Sequence, residues 1–181
     1  PNRHNQKKHA GSKNYESEYQ NALEFATGKH EGQMYGRSEQ YIEHPRRVAQ
    51  RLSEGVARIV ALLHDTVEDT DTSIDEIREL FGDEVANAVE SLTRRSGETY
   101  KEFIVRASRD PISRVVKLAD VADNFEHLEA SELPSDKKVS LRKRYEGALS
   151  ILSVEKHLPM QHDQKKHGRL GSGEGYGGGG E

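Results

Sequence analysis

Cysteine is absent from this chain of 181 residues. Disulfides, thiolate-held metals and a cysteine nucleophile are therefore excluded, and any metal would have to be held by nitrogen and oxygen donors. Long apolar runs are also missing. The longest, around Ile59–Leu63, is far too short to span a bilayer. No charged-then-apolar leader opens the sequence, so nothing in it marks secretion, and a cytoplasmic location is expected. An excess of positive charge is lacking too, with 27 Lys and Arg against 31 Asp and Glu. Residues 14–160 alone hold 20 bases and 28 acids, a net of −8. That balance argues against sequence-independent nucleic-acid binding, which needs a basic stripe. A phosphorylated small molecule stays compatible with it, provided a metal cation supplies the missing positive charge.

The two ends differ from the middle. Residues 1–13 carry Arg3, Lys7, Lys8 and Lys13 and no acid, and residues 171–181 read GSGEGYGGGGE. Neither end has an apolar period to bury, so 1–13 and 161–181 are expected to be disordered flanks around one domain, 14–160. The flanks share a repeat, His4-Asn5-Gln6-Lys7-Lys8-His9 and His162-Asp163-Gln164-Lys165-Lys166-His167. It reads either as two solvated basic tails or as a recurring segment, similar to short His-Gln-Lys-His segments of phage structural proteins.

Sustained strand-type alternation is absent, and helical spacing runs almost throughout. Leu23, Phe25 and Ala26 mark a helix over about 15–30. Ile42, Val48, Ala49 and Leu52 mark another beginning near Glu39, and Val56, Ile59, Val60 and Leu63 a third. Ser73 to Glu76 has capping-box spacing; Gly82 is placed to end that helix, and Asp83 to cap the next. Phe103 and Ile104 lie on a short helix, Pro111 opens another, and a last one follows Pro134. The expected fold is an all-α domain of about seven helices.

The densest polar signal is His64-Asp65-Thr66-Val67-Glu68-Asp69-Thr70, growing directly out of apolar Ala61-Leu62-Leu63. On a continuous helix His64 lies over Glu68 and Asp65 over Asp69, so one side presents an imidazole and three carboxylates. Alone, the segment also fits a solvated acidic helix end. His44 on the preceding helix and Asp120 on an apolar helix downstream change the balance. Two imidazoles and two carboxylates from separate packed helices are a donor set for a divalent ion. Taken singly, His44 fits a partly buried helix histidine and Asp120 a salt-bridged aspartate.

In this order, His44, His64-Asp65 and Asp120 resemble the ligand pattern of the HD superfamily of metal-dependent phosphohydrolases. Glu68-Asp69 narrows the resemblance to the hydrolase domain of RelA/SpoT-like proteins and the small alarmone hydrolases. Tyr41-Ile42-Glu43-His44-Pro45, Phe81-Gly82, Leu92-Thr93 and Lys117-Leu118-Ala119-Asp120 with Asn124 are similar as well. The resemblance implies a single helical HD domain that hydrolyses ppGpp at its 3′-diphosphate, giving GDP or GTP and pyrophosphate. It implies one manganese ion on His44, His64, Asp65 and Asp120, with Glu68 and Asp69 orienting and deprotonating the attacking water. Asn124, one turn after Asp120, would face the same site. Tyr145 would lie near the nucleotide, although it also fits a core aromatic.

The sequence departs from that family after Gln33. Where the alarmone hydrolases carry a basic run, it has Met34-Tyr35-Gly36, and its first arginine is Arg37. Tyr35 could stack on a base but has none of a guanidinium's donors. Arg37 and Lys117 are the cations expected to meet phosphate, unless both are ordinary surface charges. Two other functions stay open: an HD phosphohydrolase of other nucleotides, such as nucleoside monophosphates, and a phage-associated module that keeps the fold for binding.

Overall fold

The computed structural model describes residues 10–53 and 55–154. Along them run α1 (Ala10–Lys29), β1 (Met34–Tyr35), β2 (Glu39–Gln40), α2 (Glu43–Gln50), α3 (Val56–Leu63), α4 (Thr66–Asp69), α5 (Ile74–Leu92), α6 (Tyr100–Ala107), α7 (Pro111–Ala130) and α8 (Ser135–Leu152). Seven of these helices have eight residues or more and α4 is a single turn, so the all-α expectation holds. No helix among the described residues is long and apolar enough to cross a membrane. Most of the two expected flanks, with both copies of the repeat, lies outside the described residues. Helix α1 begins at Ala10, ahead of the boundary expected at residue 14.

Helix α3 is the centre. Its sequence VARIVALL has one polar residue, Arg58, and Ile59 to Leu63 are all buried. A helix so nearly apolar must be surrounded. Accordingly α3 packs against α1, α2, α5 and α7, with Ala22, Ala26, Val48, Ala49, Ile77, Val89 and Val116 closing the core. A smaller cluster of Phe103, Ile104, Ala107, Val121, Ala148 and Leu152 joins α6, α7 and α8.

The caps follow the sequence closely. Ser73 accepts from the Glu76 N–H, Thr99 and Glu102 form a reciprocal capping box, and Asp110 caps α7 ahead of Pro111. As expected, Gly82 ends the first of the two helical runs that make up α5. With φ at 83° it takes a conformation that favours glycine, and the second run starts after the kink. Two elements differ from expectation. The helix expected near Glu39 begins at Glu43, because Glu39 and Gln40 pair with Tyr35 and Met34 in an antiparallel hairpin. Gly36, at φ 65°, opens the three-residue connection Gly36-Arg37-Ser38. Two-residue strands are too short to show alternation in sequence.

Candidate metal centre

The continuous helix expected through His64 and Asp65 is interrupted there, and the side chains give the reason. His64 Nδ1 lies 2.7 Å from the Ala61 carbonyl and Thr66 Oγ1 donates to the Leu63 carbonyl at 2.7 Å. These contacts satisfy carbonyls of the last turn of α3, so the chain can turn before α4 starts. His64 thus ends α3 inside the core, and Asp65 precedes α4.

Three helices converge on that point. Nitrogen and oxygen atoms of His44 on α2, His64 at the end of α3 and Asp120 on α7 all lie within 4.8 Å of one another, and all three residues are buried. His44 Nε2 is 3.1 Å from Asp120 Oδ1, and His64 Nε2 is 3.1 Å from Asp65 Oδ2. The cross distances, His44 Nε2 to Asp65 Oδ2 and His64 Nε2 to Asp120 Oδ1, are both 3.8 Å.

The donor chemistry fits a cation. A backbone carbonyl can only accept, so Nδ1 of His64 carries the proton there and Nε2 presents a lone pair in the neutral ring. That Nε2 is buried and, in the neutral ring, faces the Asp65 and Asp120 carboxylates, which have no proton to give it, so it is left without a hydrogen bond, which is costly unless something binds it. Burial alone would lower the His64 pKa, but Asp65 and Asp120 outweigh it and push it up to about 10. Burial would likewise raise Asp65 and Asp120; instead His64 holds Asp65 low, while Lys117 and the two histidines hold Asp120 well below the carboxylate range. The cluster demands positive charge, and a metal ion supplies it as well as protons do.

The remaining expected residues are placed as follows. Lys117 is buried, with Nζ 2.8 Å from Asp120 Oδ2, so its charge is committed to that carboxylate. Asn124 donates to Asp120 Oδ1 at 2.6 Å and accepts from the Tyr35 hydroxyl at 2.8 Å. Asp69 is 2.9 Å and Asp65 2.7 Å from the one hydroxyl of Tyr41. Glu68 lines a cavity of about 530 Å³ with Arg94, Arg95 and the turn that follows. Loss of water raises its pKa, against the pull of Lys117. Arg37 and Tyr145 line a different cavity of about 600 Å³, with Tyr35, Asn124, His127 and Leu141. Arg37 is 83% exposed and ion-paired with Glu132. The structure therefore brings His44, His64, Asp65, Asp120, Asn124 and Lys117 together, and sets Arg37 at the rim of the cavity that Asn124 and Tyr145 also line.

Residues 22–145 match the HD domain family. The chain belongs to the HD domain family. Among its relatives, this HD domain is 40% identical over 135 residues to guanosine-3′,5′-bis(diphosphate) 3′-pyrophosphohydrolase of Aquifex aeolicus, covering 68% of this chain and 19% of that protein. It is 36% identical over 154 residues to a probable GTP pyrophosphokinase of Mycobacterium leprae, covering 78% of this chain and 19% of the relative. The chain thus spans about a fifth of the length of these curated relatives. A solved structure, described as a metazoan ortholog of SpoT that hydrolyzes ppGpp and plays a role in starvation responses, superposes with a TM-score of 0.69 at 24% identity. That match covers 76% of this chain and 86% of the other, and shows the same fold.

Sequence reasoning gave Asp123, Tyr41 and Gln33 no role at the HD domain's centre, and read Tyr35 as a ring that could stack on a base. Asp123 lies 2.9 Å from His44 Nδ1, Tyr41 joins Asp65 to Asp69, and Tyr35 stacks on His44 with ring centroids 5.0 Å apart. Gln33 donates to the Asp69 carbonyl at 2.9 Å. A signal for Asp123 existed. It stands three residues after Asp120, the spacing that puts two side chains on one helix face. Tyr41 stands three before His44, one turn away.

Proposed function

We propose that this HD domain, taken as residues 14–160, removes the 3′-diphosphate of guanosine tetra- or pentaphosphate as pyrophosphate, leaving GDP or GTP. The observation that carries the reading is the buried triangle of His44, His64 and Asp120 with its unpartnered imidazole nitrogen, in a chain 40% identical over 135 residues to a protein so named. His44, His64, Asp65 and Asp120 would hold one divalent ion, manganese in this reading. When bound, the ion lowers the pKa of water and polarises a phosphoryl oxygen.

The chain's own residues do the rest. Glu68 takes a proton from the attacking water at its carboxylate, and its raised pKa suits a general base. Asp69, held by the Tyr41 hydroxyl, orients the same water. The water oxygen bonds to the phosphorus attached to the 3′ oxygen, that P–O bond breaks, and the 3′ oxygen takes up a proton. Lys117 serves Asp120 in this arrangement, in place of the phosphate contact expected of it. Asn124, Tyr145 and Arg37 border the space for the nucleotide. The net charge of −8 over 14–160 supports a small-molecule partner over a nucleic acid.

A second reading, hydrolysis of other nucleotides, is favoured by one observation. Met34-Tyr35-Gly36 supplies no cation, and Arg37 is already paired with Glu132. Incubating the manganese-loaded protein with ppGpp and, in parallel, with nucleoside monophosphates separates the two. Pyrophosphate release from ppGpp is expected. Turnover of a monophosphate with none of ppGpp would overturn the alarmone reading and keep the chemistry.

A further inference from the structure

The two imidazoles of the centre are held differently. His64 is oriented by a backbone carbonyl, a neutral acceptor. His44 is oriented by Asp123, whose Oδ2 lies 2.9 Å from Nδ1. Asp123 is on the opposite edge of the ring from Nε2, so it is no candidate ligand itself. Its side chain is fully buried, and it survives as a carboxylate because two guanidiniums close around it. Arg47 Nε donates to both oxygens at 3.1 and 3.2 Å, and an Arg51 N–H reaches Oδ1 at 3.3 Å. Arg47 is tied in turn to Glu39 on the hairpin, and Arg51 to Glu126. The spacings make this possible: Asp120 and Asp123 share a face of α7, and His44 and Arg47 on α2 share a face with Arg51, the residue that caps its end.

We propose that Asp123, with its charge balanced by Arg47 and Arg51, is the positioning residue for His44: it fixes the ring, keeps the proton on Nδ1 and aims the bare Nε2 at the cation. This rests on reading the cluster as a metal centre. A carboxylate behind a ligating imidazole raises its basicity and sets its orientation. The arginines limit that effect by drawing charge from Asp123, so the proton stays on the histidine. A carboxylate that only stapled α7 to α2 would affect stability and leave metal affinity alone.

The test measures manganese affinity of the full chain by titration calorimetry, below the melting temperature of each variant, and uses no substrate. Asp123→Ala should weaken manganese binding by about 10–100-fold. Asp123→Asn keeps an oxygen acceptor for Nδ1–H and should fall between the wild type and Asp123→Ala. Glu126→Gln cuts a neighbouring tie between α7 and the end of α2, the Arg51–Glu126 pair, and leaves Asp123, Arg47, Arg51 and His44 in place. It should leave affinity near that of the wild type. Wild-type affinity in Asp123→Ala, or an equal loss in Glu126→Gln, overturns the positioning role while the metal centre stands. If Asp123→Ala fails to fold, wild-type affinity in Asp123→Asn overturns it. A wild-type protein that binds no manganese overturns both the role and the metal centre.

Discussion

Replacing Tyr41 by Phe isolates one hydroxyl at the edge of the centre. The ring stays, stacked on His30 with centroids 4.6 Å apart, so packing is nearly conserved. What is lost is an O–H placed 2.7 Å from Asp65 Oδ2 and 2.9 Å from Asp69 Oδ2. Burial first, then the two carboxylates, push the hydroxyl's pKa well up, so it stays protonated and acts as a donor. It has one proton for two carboxylates, so a single charge-assisted hydrogen bond is removed, worth about 1.5–3 kcal/mol. Asp69 is exposed, and water can replace the donor there; Asp65 is mostly enclosed, and water replaces it poorly. The lower half of the range is the fairer figure, roughly a 13-fold to 45-fold loss of turnover if it is all felt in the transition state. Steady-state hydrolysis by manganese-saturated protein reads it, with a thermal melt alongside. Tyr41→Phe turning over within twofold of the wild type would refute the idea that this hydroxyl holds Asp69 in place.

Asp65→Ala should fail to retain one equivalent of manganese in metal analysis of the purified protein, because a carboxylate within 3.8 Å of both imidazoles is gone. Glu68→Gln keeps size but cannot take a proton; turnover should drop by about two orders of magnitude or more, with metal content unchanged. The turn between α5 and α6 gives a pH prediction. Arg106, bonded through two nitrogens to Glu98, holds the Glu98 pKa down at about 2. A depressed carboxylate stabilises the fold above its unfolded pKa and loses that contribution as pH falls towards the folded value. The melting temperature should therefore decline between about pH 4.5 and pH 2, and Glu98→Gln should flatten that part of the profile. An identical acid limb in both proteins would refute the assignment.

The helices and their caps were readable because each is written in local chemistry. Ser73 and Pro111 act within one turn of where they stand, and VARIVALL has a single polar residue, Arg58. His44, His64, Asp65 and Asp120 were readable as donors that make chemical sense only together. The break at His64-Asp65 was hidden, since it depends on side chains of His64 and Thr66 taking carbonyls that a helix would otherwise use. Asp123 and Tyr41 were hidden for another reason. Each is a single polar residue whose partner lies far along the chain, 79 residues away for His44–Asp123 and 24 for Tyr41–Asp65. Only the packing of α2 on α7, and of both on α3, brings them together. Arg37 shows the converse: its position in sequence suggested the site, and its exposure and its pairing with Glu132 set it at the rim.

The hairpin has a consequence of its own. Two strands of two residues are far below what holds together unaided in water. This one borrows its order from the centre beneath it: Tyr35 is bonded to Asn124, Glu39 to Arg47, and Gln33 just before it to the Asp69 carbonyl. Its opening is thus thermodynamically linked to the arrangement of α2, α4 and α7. Amide exchange at Met34 to Tyr41 becomes a reporter of the centre's occupancy: whatever steadies His44 and Asp120 should slow deuterium uptake in a segment that carries none of the four proposed ligands.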